Sequence, residues 1–123
     1  MDATTFCDLV LNEFPSLRQD FEEWKGLLHL QVSEFQRFTQ NAIEAQSFKV
    51  VSECFRIATT ALVEGDDDLR NAIGVSYLEH LDFRSDAGKQ ARLLMPTELA
   101  QGRNDVLDYD ERLLGRKWRL DDR

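Results

Sequence analysis

The sequence predicts an all-α protein, a compact bundle or short solenoid-like array of about five to seven antiparallel helices. Three observations lead there. Apolar residues recur at spacings of three and four along most of the chain, the period of an amphipathic helix. No segment sustains the apolar–polar alternation of a half-buried strand. The 6 glycines and 2 prolines are few, and they fall where helical stripes should end.

A first helix is expected from about Thr4 to Glu13, where Phe6, Leu9, Val10 and Phe14 share a face. Pro15 disfavours helical backbone at Phe14 and ends it. Ser16, with Gln19 three residues on, has the pattern of a capping box and opens a second helix carrying Leu17, Phe21, Trp24 and Leu28, weakened at its end by Gly26. The third helix is expected to begin near Gln31 or Ser33, because Ser33 and Gln36 repeat that pattern. Its stripe is Val32, Phe35, Thr39, Ala42 and Ile43, widened by Phe38. Ser47 is the expected cap of a fourth helix. There Phe48, Val51, Phe55, Ala58 and Leu62 form one stripe, and Val50, Cys54, Ile57 and Ala61 a second beside it. So wide an apolar arc belongs to a central helix contacted from two sides.

Gly65 stops the fourth helix. Asp66, Asp67 and Asp68 then complement the positive end of a fifth, which carries Leu69, Ala72, Ile73, Tyr77, Leu78 and Leu81. Gly74 in its middle costs about 1 kcal/mol against alanine, and close approach of a neighbouring helix is the expected reason. Phe83 to Asp86 reads as a turn, and Ser85 or Asp86 caps a short helix through Met95. Pro96 bounds a further short turn, Thr97 to Gln101, closed by Gly102. Val106, Leu107, Tyr109, Leu113, Leu114, Trp118 and Leu120 then make the tail too apolar to be purely solvated. It is expected as a helix from about Asp105 to Leu114 or as an extended arm. The expected organisation is a helical domain over residues 1–102 and a C-terminal segment, 103–123, packed on the body or acting as an arm.

The 123 residues fit one domain. No apolar run exceeds three residues, so neither a membrane-spanning helix nor a secretory signal is expected. Cys7 and Cys54 form no disulfide framework and read as reduced, buried thiols of a cytoplasmic protein. The 23 acidic and 15 basic side chains leave a net charge of −8, which opposes phosphate backbones and disfavours nucleic acid. The same field steers a basic protein partner on approach.

Most candidate chemistry has a structural explanation. Glu79, His80 and Asp82 are polar groups in an apolar stretch, and a carboxylate beside an imidazole suits acid–base work. Helical neighbours do not share a face, however, so capping or a buried polar network is preferred. Glu79 is expected to pair near Tyr77 or with an arginine such as Arg56. Cys54 would be a nucleophile if His80 lay beside it, but its place in the densest stripe argues for inert packing. His29 lacks metal-ligand spacing, and an interhelical hydrogen bond is expected. The contiguous Asp66–Asp68 run lacks the alternation of a calcium loop, and Gly88-Lys89 is no phosphate loop. No metal and no cofactor is expected. Trp118 amid Arg116, Lys117 and Arg119 suits either a binding hot spot or a clamp onto the acidic body, and the clamp is preferred.

Three stretches carry a family resemblance: Phe14-Pro15-Ser16-Leu17-Arg18, LLHLQVSEFQRF over 27–38, and NAIGVSYLEHLDF over 71–83. With Met95-Pro96 and Leu99, they resemble a family of small all-helical bacterial proteins, a domain of unknown function, over residues 5–100. The most specific element is Val75 to Leu81, and the tail after Gly102 lies outside the resemblance. The family supplies no catalytic residues. In size and acidity the chain also resembles immunity proteins of bacterial toxin systems, without a shared motif.

The expected function is a non-enzymatic, acidic, helical protein-binding module, with an immunity or antitoxin-like role as one concrete form. Asp20, Glu22, Glu23 and Glu44 would steer the partner, and Arg116 and Trp118 would contribute contacts. The alternative is a small enzyme whose Glu79, His80, Cys54 and Tyr77 converge only in three dimensions. The protein is expected to be a monomer, or a homodimer exchanging the Trp118 arm.

Overall fold

The helical periodicity is realised as seven α-helices in the computed structural model of the chain, which describes residues 1–115. They are α1 (Ala3–Glu13), α2 (Arg18–Glu23), α3 (Leu28–Glu44), α4 (Phe48–Glu64), α5 (Asp67–Ala72), α6 (Asp86–Arg92) and α7 (Thr97–Leu114). A π turn, Ile73–Tyr77, and a 3-10 turn, Leu78–His80, continue α5, and a second 3-10 turn, Pro15–Leu17, precedes α2. There is no strand among the described residues. Arg116 and Trp118 lie outside the described residues. No described helix is long and apolar enough to cross a membrane.

Polar caps set three of the starts. The Asp2 carboxylate accepts from the Thr5 amide at 2.8 Å, Asp66 from Leu69 at 2.9 Å, and Ser85 from Gly88 at 2.9 Å. Each satisfies an amide that the first helical turn leaves without a partner. Ser47 stands at the N-cap of α4 but makes no capping hydrogen bond with its side chain.

Two expected capping boxes are absent. Pro15 opens a 3-10 turn, so α2 starts at Arg18 without a side-chain cap. The third helix starts at Leu28, so Leu28 belongs to α3, and Ser33 and Gln36 fall inside it. A buried amide organises this joint instead. Gln31 Nε2 donates to the Phe21 carbonyl at 3.0 Å, and its Oε1 accepts from Cys7 Sγ at 3.4 Å. Those bonds tie α1, α2 and the first turn of α3 together, which a local cap at Ser33 could not do.

The third correction concerns Gly102, which does not end a helix: α7 runs through it for 18 residues. A Cβ at this position would sit 2.6 Å from Leu62 Cδ2 on α4. The glycine marks a close crossing of two helices, not a stop signal. Gly74 does what its mid-helix position implied, since a Cβ there would lie 3.1 Å from Val106 of α7. The described part of the C-terminal segment is therefore packed on the body, with Leu107 buried.

The α4 helix is central as its two stripes predict, packing on α1, α3, α5 and α7. Between α3 and α4 the core is aromatic: Phe35 meets Phe6 edge-on at 5.8 Å and stacks on Tyr77 at 5.1 Å. Phe55 meets Phe83 edge-on at 6.4 Å, and the Arg103 guanidinium lies over the Phe83 ring, 4.8 Å from its centre.

Candidate functional site

The most distinctive stretch of the sequence, Val75 to Leu81, spans the end of the π turn, the 3-10 turn that follows and the first residue beyond it. It has an inner and an outer side. On the inner side Tyr77 is fully buried and its hydroxyl lies 2.9 Å from Thr39 Oγ1. Thr39 spends its one proton on the Phe35 carbonyl at 2.9 Å, so the tyrosine is the donor to Thr39. Cys54 adjoins the same threonine. Burial pushes its thiol up to about 12 and holds the Tyr77 phenol well above its ordinary range. Thus Cys54 and Tyr77 do come together, through Thr39 and inside the core. Cys54 has Thr39 and Tyr77 as polar neighbours in the core, whereas His80 is exposed.

Glu79, His80 and Asp82 belong to the turn that leaves the core. Glu79 is half-buried. Two glutamines of α3 hold the backbone here: Gln36 donates to the His80 carbonyl at 3.2 Å, and the Gln40 amide both donates to the Asp82 carbonyl and accepts from the Asp82 N–H. The Asp82 carboxylate is gripped by Arg84 Nε and Nη2 at 3.0 and 2.9 Å, which lowers it below the usual carboxylate range. Arg56, an expected partner of Glu79, is engaged by Glu53 at 2.9 Å within its own helix.

The acids expected to steer a partner do not form one patch. Asp20, Glu22 and Glu23 lie on α2, which Gln31 fastens to the beginning of α3, and Glu44 closes the far end of that helix. A helix of this length separates its ends by about 25 Å.

A different set of acids does converge. The π turn also carries Ser76, itself buried, whose hydroxyl shares a 2.7 Å hydrogen bond with His29 Nδ1 on α3. This is the interhelical bond that the histidine's isolation predicts. His29 and Asn71 line a cleft of about 450 Å³ together with Asp2, Asp66 and Asp68. No lysine or arginine is in the lining. The Met1 ammonium, which donates to the Glu64 carbonyl at 2.6 Å, is the nearby counter-charge for Asp2. The bonds from Thr5 hold the Asp2 carboxyl below its usual range, so it is charged at neutral pH. Asp2 and Asp66 meet here because each caps a helix whose start faces this cleft. Among the described residues no group of three or more His, Cys, Asp or Glu side chains is placed to hold a metal ion.

Sequence reasoning weighed Asp66–Asp68 as caps and missed the cleft, because Asp2 and His29 arrive from elements remote in sequence. It also missed Asp110, which is 5% exposed. A signal existed: Leu99, Arg103, Leu107 and Asp110 follow one another at helical spacing, and all four are buried.

Residues 7–111 match the family described as domain of unknown function DUF7674, and the chain belongs to that family. The match extends past Gly102, in keeping with an unbroken α7. No curated protein and no solved structure matches the chain.

Proposed function

We propose that this protein is a non-enzymatic binding module that receives a basic protein partner through the Asp2–Asp66–Asp68 cleft. The observation that carries the reading is a cleft with three aspartates and no lysine or arginine in its lining, on a chain of net charge −8. Such a concavity concentrates negative potential and favours cationic groups on approach. An immunity or antitoxin-like role in the bacterial cytoplasm, against a basic toxin domain, is the concrete form that small size, acidity and helicity support. The two free cysteines fit a reducing compartment.

Capture from the native host at low and high salt tests this. The test variant is Asp66→Asn/Asp68→Asn, because asparagine still caps α5 while both charges are removed. A partner should be retained at low salt, lost at high salt, and bound roughly two- to thirtyfold more weakly by the variant, at the usual worth of exposed charge pairs. Equal retention by the variant, or no partner at either salt, would overturn the reading.

A further inference from the structure

We propose that the groove between α5 and α7 seats an arginine side chain of that basic partner, with Asp110 as its counter-charge; the assignment rests on the function proposed above. The groove holds about 420 Å³. Val75 of the π turn and Val106 and Tyr109 of α7 give it apolar walls, and Asp105 and Asp110 give it charge. Asn71 lines both this groove and the acidic cleft, so the two lie side by side on one face.

The specific observation is at Asp110. Its side chain is more than nine-tenths buried, and its Oδ2 has no hydrogen-bond partner. A buried carboxylate oxygen without a donor is costly, and native structures keep few of them. Neither nearby cation bonds Asp110 Oδ2. Arg70, in the lining, bonds Asp67 at 2.7 Å. Arg103, on the same helix as Asp110, reaches the Leu81 carbonyl at 3.4 Å and the Phe83 ring at 4.8 Å. What the groove asks for is a donor on an apolar stem that can also lie flat on Tyr109. A guanidinium meets all three requirements: it donates in a fork, stacks on rings and carries its charge on methylenes.

The test is a titration of the full chain with Nα-acetyl-arginine methylamide, followed by the backbone amide signals of Gly74, Val75 and Val106. The neutral citrulline analogue is the control. Saturable shifts with arginine, and none with citrulline, are expected. Asp110→Asn should weaken the arginine response tenfold or more, and Asp105→Asn only slightly. Val75→Lys, which leaves Asp110 in place and sets a cation at the mouth, should abolish it. An equal response to citrulline, or a response unchanged in both Asp110→Asn and Val75→Lys, would overturn the assignment. A silent groove with partner capture intact overturns the arginine seat alone, whereas failed capture overturns the function and the seat together.

Discussion

The Thr39–Tyr77 contact makes a prediction whose sign pattern is as informative as its size. Thr39 gives its proton to the Phe35 carbonyl and accepts from Tyr77, all inside the core. Tyr77→Phe removes the donor and strands nothing, because Thr39 keeps its own acceptor. The expected cost is that of one net hydrogen bond, about 1 kcal/mol. Thr39→Val removes the acceptor and leaves a fully buried phenolic proton without a partner, at about 2 kcal/mol. The Phe35 carbonyl loses little in that change, since it retains its helical amide. The double variant removes both polar groups and should return to about 1 kcal/mol, less than Thr39→Val alone. The coupling is then about 2 kcal/mol, far outside the additivity expected of independent sites. Equilibrium unfolding in urea, with the slope checked for constancy across the four proteins, measures each corner of the cycle. A double variant costing the sum of the two singles, or Tyr77→Phe costing more than Thr39→Val, would refute this donor assignment.

Two further predictions follow from packing and from the thiols, of which Cys54 is buried as expected and Cys7 only half-buried. Gly102→Val should cost about 1–3 kcal/mol, as overpacking does, because its side chain enters the space of Leu62; adding Leu62→Ala should recover part of that loss in a thermal melt, and purely additive costs would contradict the close-crossing reading. Burial raises Cys7 to about 11 and Cys54 to about 12, from 9.0. A folded value above the unfolded one gives stability that is full below about pH 9 and lost as pH rises toward 12, so melting temperature should fall across that window, and Cys54 should resist a thiol reagent at pH ~8 until the protein is unfolded. Labelling of Cys54 in the native state at the denatured rate would contradict its burial.

What could be read from the residues was what periodicity and local chemistry encode. The stripes of α3 and α4 specified their core faces residue by residue, and Asp66 and Ser85 announced their helices because a short polar side chain before an apolar stripe has a local job. The start of α3 was illegible for the complementary reason. Its first turn is fixed by Gln31 reaching Phe21 and Cys7, contacts that exist only after the chain has folded back. Gly102 misled because a glycine that ends a helix and one that admits a neighbour look the same in a sequence. His29 advertised a need for a partner without disclosing Ser76, which lies 47 residues away. The acidic cleft was hidden since its aspartates, taken singly, are ordinary caps. Asp110 was hidden among the charges of α7, where Asp105, Asp108 and Glu111 are its neighbours.

The π turn bears on which changes the gene can tolerate. Such a turn takes up one residue more than an α-helical turn, so side chains beyond it are rotated by about 100° relative to an uninterrupted helix. Deleting a single codon between Gly74 and Ser76 would restore a regular coil and leave Tyr77 facing Phe35 and Thr39, whereas adding one would swing it away. Losing a letter in this stretch is therefore a lesser insult than gaining one. Related sequences should show a one-residue gap here more readily than an insertion.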